Sequence, residues 1–127
     1  MSLIIRIMQG ALVDSSLQSR NDKFQIIQGD GLKGTILEIK KSMTIGREGD
    51  LKTHPLGQVI SRLHCKLDSP LLGEWGVEHL GERSVSSVKR EGRSIPLERG
   101  KKEKLEKGDV IVLGPQKNPF RLELLIE

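Results

Sequence analysis

The segment VISRLHCKL, residues 59–67, carries the pattern that indicates how this chain folds. In its second half the residues alternate, with Leu63 and Cys65 on one side and Arg62 and His64 on the other. Such alternation predicts a β-strand with one face toward a core and one face toward solvent. The segment therefore favours a β fold.

The rest of the chain repeats this pattern in short apolar segments separated by turn residues. Examples are LIIRIM (residues 3–8), GTILEI (34–39) and KGDVIVLG (107–114). Many short strands with frequent turns are typical of a sandwich or barrel. One segment, LERGKKEKLEKG (97–108), resembles a helix, but Gly100 interrupts it. We predict an all-β fold.

The length of 127 residues suits one compact domain. Residues 14–22 are polar and aperiodic, so we assign residues 1–22 to an N-terminal strand or arm with a loose linker. Residues 23–127 then form the β-sandwich domain. Aromatic residues make up only 2% of the chain, which means that Leu, Ile and Val must build the core.

Charge, cysteine content and hydropathy exclude several classes of protein. The net charge of +4 is mild, and it permits an anionic partner without requiring one. Cys65 is the only cysteine, so an internal disulfide and a thiol cluster for zinc are excluded. LIIRIM is too short to span a bilayer, is broken by Arg6 and lacks the flanks of a signal peptide. We expect a cytoplasmic protein with no membrane partner.

Weak matches to cofactor and nucleic-acid motifs have simpler explanations. GDGLKG (29–34) fits a dinucleotide fingerprint, but a strand follows it instead of the required helix, so a hairpin turn is favoured. His54, His64 and His79 show no local metal-ligand spacing. In RGKKEKLEKGD (99–109) glutamates alternate with lysines and no aromatic residue is interleaved, which indicates a solvated loop. We predict no metal, cofactor or nucleic-acid partner.

Arg47 and Ser61 flank one glycine-punctuated loop that joins two strands expected to be neighbours. A guanidinium and a hydroxyl would then meet at one end of a sheet, an arrangement suited to a phosphate. From the residues alone, pairing of Arg47 with Glu48 or Asp50 remains an alternative. An activated serine is not expected, because there is no GxSxG elbow and Ser61 and His64 have opposite parity on a strand.

Four motifs in this order resemble the forkhead-associated (FHA) domain family. They are TIGR (44–47), SRLH (61–64) as the family's S-x-x-H signature, WGVEHLG (75–81) and LEKGDVIVLG (105–114) as its L-x-x-G-D-x-I-x-L-G hairpin. The resemblance covers roughly residues 24–125. It implies an FHA-like (SMAD/FHA) β-sandwich of about eleven strands with Greek-key-type connections.

The resemblance also implies a non-enzymatic signalling or adaptor module that binds phosphothreonine peptides. Arg47 would contact the phosphate and Ser61 would donate its hydroxyl to it. Gly46 would free the backbone for the exit from the strand, His64 would hold Ser61 in place, and Arg62 would line the peptide groove. The partner would be a phosphothreonine-containing protein or a Ser/Thr kinase.

One loop departs from the family pattern S-x-N-G-T and reads ERSVS (82–86). Ser84 replaces the asparagine that grips the peptide main chain, and Val85 replaces a glycine that tolerates positive φ. Arg83 could supply a compensating contact in the peptide groove. The alternative is a degenerate FHA domain that binds unphosphorylated partners or self-associates, with LIIRIM (3–8) pairing at a sheet edge.

Overall fold

The structure is a computed structural model that describes residues 2–14, 24–28, 33–53, 60–71 and 74–127. Within these ranges the regular structure is entirely β. The same part of the chain contains no apolar helix of the length that a bilayer crossing needs. The predicted all-β sandwich is confirmed, with its strands arranged in two sheets.

The described residues contain thirteen strands, several of them only three residues long. In chain order they are β1 (Leu3–Gln9), β2 (Leu12–Asp14), β3 (Phe24–Gln28), β4 (Ile36–Ile39), β5 (Met43–Gly46), β6 (Leu51–Thr53), β7 (Cys65–Leu71), β8 (Glu74–His79), β9 (Ser86–Arg90), β10 (Arg93–Pro96), β11 (Lys102–Lys104), β12 (Val110–Leu113) and β13 (Leu122–Ile126).

The first sheet has the order β10-β9-β12-β13-β1-β4-β3, and the second has the order β11-β8-β7-β5-β6-β2. Neighbouring strands are antiparallel except β5 and β6, which are parallel. Strands β5 and β7 pair directly, with Ile45 opposite Cys65. The end of β5 and the start of β7 therefore lie side by side, as the sequence indicated.

Three short strands, β2, β6 and β11, were not expected from the sequence. Strand β6 lies inside the loop that follows Arg47, and its pairing with β5 is the parallel one. Strand β11 forms within LERGKKEKLEKG, after Gly100 turns the chain with a φ of 83°. The pairings of β2 with β6 and of β11 with β8 join segments distant in sequence, which local periodicity does not report. Of the expected hairpin turn GDGLKG, residues 29–32 lie outside the described residues.

Strand β1 belongs to the interior of the first sheet. It pairs with β13 on one side and with β4 on the other, and Ile5 and Ile7 on its inner face are fully buried. A strand paired on both edges offers no free edge to another chain. The expected N-terminal arm thus includes a strand of the sandwich, while residues 15–22 of the expected linker lie outside the described residues.

Aliphatic side chains from both sheets form the core between them. Among the described residues Trp75 is the only aromatic side chain in that cluster, and Phe120 is 57% exposed. Cys65 is fully buried, and this burial raises the pKa of its thiol to about 12. A thiol with such a pKa does not ionise near neutral pH and is not a nucleophile.

A buried ion pair fixes the hairpin motif LEKGDVIVLG to strand β9. Arg90 binds the carboxylate of Asp109 through two hydrogen bonds of 2.9 and 2.7 Å. The same carboxylate accepts the backbone N–H of Glu106 at 2.8 Å. Burial alone would raise the pKa of Asp109, but these bonds and the charge of Arg90 outweigh it and lower the pKa. The motif aspartate is therefore a structural residue.

We predict that Asp109→Asn lowers the free energy of unfolding by about 2–3 kcal/mol, because Arg90 loses its bidentate partner and keeps only the carbonyl of Lys104 at 2.8 Å and two longer carboxylate contacts. Urea unfolding followed by circular dichroism measures the change. Glu98→Gln removes an exposed ion pair with Lys101 and should leave the midpoint unchanged. Equal effects of the two substitutions would contradict the structural role of Asp109.

Candidate functional site

A pocket of about 600 Å³ opens where strand β5 ends and strand β7 begins. It is lined by Arg47, residues 60–63, residues 80–84 and Arg99. The structure therefore brings four of the sequence-predicted residues to one cavity beside Arg47: Ser61, Arg62, Arg83 and Ser84. The other two, Gly46 and His64, lie next to this cavity and shape it, as described below.

Arg47 is held against the opposite segment by its backbone and its side chain. Its N–H donates to the carbonyl of Ser61 at 3.1 Å, and the N–H of Glu48 donates to the carbonyl of Arg62 at 2.8 Å. The Nε atom of Arg47 donates to the carbonyl of Ile60 at 2.7 Å. One edge of the guanidinium is thus fixed to protein, while Arg47 remains exposed and lines the pocket.

The alternative pairing of Arg47 with a nearby carboxylate is not formed among the described residues. The carboxylate of Asp50 instead accepts the backbone N–H of Thr44 at 3.1 Å. No ion pair joins Arg47 to Glu48 in the described part of the chain, although the two are adjacent. The guanidinium of Arg47 is exposed and available to an anion from outside.

Gly46 is required for close approach of two backbones. A Cβ atom on Gly46 would lie 2.8 Å from the carbonyl oxygen of Ser61 and 2.8 Å from the carbonyl carbon of Arg62. Its φ is not among the positive values of the chain, so conformational freedom is not the reason for a glycine. The sequence located this residue, and the structure gives it a steric function.

The buried imidazole of His64 joins the two segments that line the pocket. Its Nδ1 accepts the backbone N–H of Ser61 at 3.1 Å, which leaves the ring proton on Nε2. Nε2 then donates to the carbonyl of Val85 at 2.8 Å. Burial lowers the pKa of His64 to about 4; the bond to Val85 opposes this shift and the nearby His79 adds to it.

The expected strand alternation across residues 62–66 is wrong at its start. Strand β7 begins at Cys65, and the preceding residues bend. His64 is buried instead of facing solvent, and Leu63 is 47% exposed and lines the pocket. The two hydrogen bonds of the His64 ring outweigh the local preference for alternation, because a buried imidazole needs both partners.

Two hydroxyl groups meet at the centre of the pocket. The Oγ atoms of Ser61 and Ser84 lie 2.5 Å apart, and either can donate to the other. Gly81 makes room for them, since a Cβ atom there would lie 2.8 Å from the Ser61 hydroxyl and would also overlap Ser84. Ser84 therefore stands beside Ser61 at this point, and each hydroxyl is free to rotate toward a ligand.

The divergent ERSVS loop is fixed without the usual glycine turn. Val85 does not have a positive φ; among the described non-glycine residues only Glu91 does. The carbonyl of Val85 accepts two hydrogen bonds, one from His64 and one from the N–H of Gly114 at 2.9 Å. The side chain of Arg83 is exposed at the pocket.

Three residues of the pocket region were missed by sequence reasoning. Gly81 and Arg99 line the pocket, and His79 lies behind it with its ring edge-to-face against His64 at 5.4 Å between centroids. The Nδ1 atom of His79 is hydrogen-bonded to the hydroxyl of Ser86 at 2.8 Å. Arg99 belongs to a lysine-rich segment whose pattern indicated only a solvated loop. The described residues contain no cluster of three metal-ligating side chains.

Several solved structures are similar to this chain. The FHA domain of an Arabidopsis thaliana hypothetical protein superposes with a TM-score of 0.62 at 20% identity, covering 99% of this chain and 84% of that one. The chain has the FHA fold. The N-terminal FHA domain of S. cerevisiae Rad53p, solved with a phosphothreonine peptide, gives 0.62 at 14% identity, with 100% and 94% covered.

The FhaA FHA domain, solved in complex with the intracellular domain of Rv3910, gives a TM-score of 0.58 at 17% identity and covers 98% of this chain and 99% of that one. No protein-family model matches the sequence, and no curated protein is significantly similar to it. The FHA fold is thus preserved here. At identities of 14–20% the similar structures show the fold and do not by themselves show the function.

We predict that Gly46→Ala opens the contact between residues 46–48 and residues 60–62, because the new Cβ meets backbone atoms that cannot rotate away. The expected loss of stability is about 1–3 kcal/mol. Amide hydrogen exchange at Arg47 and Glu48 should accelerate. Gly92→Ala is the control. Nothing lies within 4 Å of its added Cβ, so it introduces only backbone strain at a positive φ and should leave the amides of Arg47 and Glu48 protected.

We predict that stability falls as the pH drops from 6.5 to about 4, because unfolded His64 binds a proton in that window and folded His64 does not. This group contributes a loss of about 3 kcal/mol, which is complete below its folded pKa. Urea unfolding at several pH values measures it. His64→Gln should have a flatter profile between pH 6.5 and 5, and an unchanged slope would contradict the assignment.

Proposed function

We propose that this domain is a phosphothreonine-dependent peptide-binding module that acts as a signalling adaptor. The observation that carries the proposal is the convergence of the Arg47 guanidinium and the Ser61 hydroxyl on one open pocket. Phosphothreonine carries close to two negative charges and three acceptor oxygens. A planar fork beside a compact hydroxyl donor suits a group of that shape and charge.

In this proposal Arg47 binds the phosphate through its Nη atoms while Nε keeps its bond to Ile60. Ser61 donates its hydroxyl to a second phosphate oxygen. Loss of the guanidinium would leave a bound phosphate without its charged partner, at a cost of roughly 2–4 kcal/mol. His64 acts as a positioning residue, since it fixes the backbone of Ser61 without reaching the ligand.

The peptide main chain is held less firmly in this proposal than the phosphate. Ser84 offers one hydroxyl where an asparagine offers a carbonyl and two N–H donors, and a lost main-chain bond costs about 1 kcal/mol. Arg62 and Arg83, both exposed at the pocket, add positive potential along the groove. We expect selective binding with moderate affinity, in the micromolar range or somewhat weaker.

The similar structures support a protein partner. The Rad53p domain was solved with a phosphothreonine peptide, and the FhaA domain with an intracellular domain of another protein. By this analogy the partner of our chain is a phosphothreonine-containing protein or a Ser/Thr kinase, met in the cytoplasm. Since β1 is paired on both edges, self-association by strand addition at β1 gains no support.

We propose binding without catalysis for this pocket. Both ring nitrogens of His64 are occupied by backbone groups, so the imidazole cannot take a proton from the Ser61 hydroxyl. Ser84, which does contact that hydroxyl, is no base. Cys65 is buried with a raised pKa. A serine without a base to activate it is a hydrogen-bond donor and no more.

We predict that phosphothreonine peptides bind selectively and that Arg47→Ala weakens their binding by roughly 30- to 1000-fold. Fluorescence anisotropy with degenerate phosphothreonine, phosphoserine and unphosphorylated libraries measures this. Arg93→Ala is the matched control, because Arg93 is exposed and does not line the pocket. Equal binding of phosphorylated and unphosphorylated libraries would refute the proposal and favour a phospho-independent interaction module.

A further inference from the structure

The pocket carries more positive charge than one phosphate requires. Among the described residues its lining includes Arg47, Arg62, Arg83 and Arg99 but only one carboxylate, Glu82. A phosphate monoester supplies between 1.5 and 2 negative charges, which Arg47 and one further arginine balance. The ligand that neutralises the whole lining therefore has a second anionic group.

Arg99 is the arginine best placed to take that second group. Its Nη2 atom lies 3.4 Å from the Glu82 carboxylate, and the two side chains are 61% and 73% exposed. A charge-assisted hydrogen bond is normally about 2.7–2.9 Å long, and an exposed pair of this kind adds little stability. A ligand anion can therefore displace Glu82 from Arg99 at little cost.

The backbone of Arg99 is fixed relative to the phosphate side of the pocket. It forms a parallel bridge with His79, whose ring packs against His64. On either side of Arg99, the N–H of Leu97 donates to the carbonyl of Ser86 at 2.9 Å, and the N–H of Lys101 donates to the carbonyl of Glu98 at 3.1 Å. The backbone of Arg99 is thus fixed, and its side chain reaches the pocket from a separate chain segment.

We propose that Arg99 forms a second anion subsite, which binds a carboxylate or a second phosphate on the same phosphopeptide. The inference rests on the proposed function, because it needs the first phosphate to be bound at Arg47 and Ser61. The second anion replaces Glu82 on Arg99, and the exposed Glu82 turns to solvent. The preferred ligand is then a phosphothreonine peptide with another acidic or phosphorylated residue nearby.

The test compares peptides that share one phosphothreonine and differ in a second residue. Glutamate or a second phosphothreonine is placed in turn at each position on either side, with glutamine and threonine as the neutral matches. Anisotropy gives the gain in affinity from the second anion. We expect a gain of about 5- to 10-fold at the best position in the wild-type chain. Comparing glutamate with phosphothreonine identifies which anion is preferred.

Two substitutions move the gain in opposite directions. Arg99→Gln should reduce the affinity gain from the second anion to about 1-fold, even if it also changes binding of the singly phosphorylated peptide. Glu82→Gln should increase the gain, because it frees Arg99. Arg93→Gln, an arginine outside the pocket, should leave the gain intact. A gain that survives Arg99→Gln would come from general attraction and would overturn the subsite.

The two proposals fail in different ways. If the wild-type chain binds the singly phosphorylated peptide and no position of the second anion improves binding, the Arg99 subsite is refuted and the proposed function stands. If no phosphopeptide binds better than its unphosphorylated form, the proposed function is refuted, and this inference falls with it.

Discussion

The imidazole of His64 ties together the two chain segments from which the pocket is built. It accepts a hydrogen bond from the backbone of Ser61 and donates one to the carbonyl of Val85, and it is fully buried while doing so. A buried ring that satisfies both nitrogens must stay neutral, and the low pKa of His64 reflects that constraint. The hydroxyl of Ser61 and the loop that carries Ser84 hold their positions because this ring lies between them.

The two sides of the pocket are built by different means. On the side of Arg47, backbone bonds and the close approach at Gly46 fix the donors, and the lack of a side chain at one residue is what permits the contact. On the ERSVS side, two bonds to the carbonyl of Val85 replace a glycine turn. In the proposed function, a pocket with one rigid, charged side and one altered side would keep its anion site while the hydrogen bonds to a peptide main chain change.

The surplus of arginine gives this pocket its chemical character. Arginine is always charged near neutral pH and is only weakly hydrated, so several guanidinium groups around one cavity favour ligands with several anionic groups. In our proposal the exposed Glu82 contacts Arg99 until an anionic group of the ligand replaces it. Different arginines of the same pocket can then contribute to the affinity for a ligand and to the selection between ligands.

Much of the fold was determined by the sequence alone, because alternation and turn residues are local properties. They predicted an all-β sandwich or barrel and the adjacency of β5 and β7, with Arg47 and Ser61 meeting at one end of a sheet. Only the tertiary structure decided that His64 is buried, that Leu63 is exposed and that Arg99 reaches the pocket. Those three features depend on hydrogen bonds and bridges between residues far apart in sequence, such as His64 with Val85 and Arg99 with His79, and local pattern carries no information about such partners.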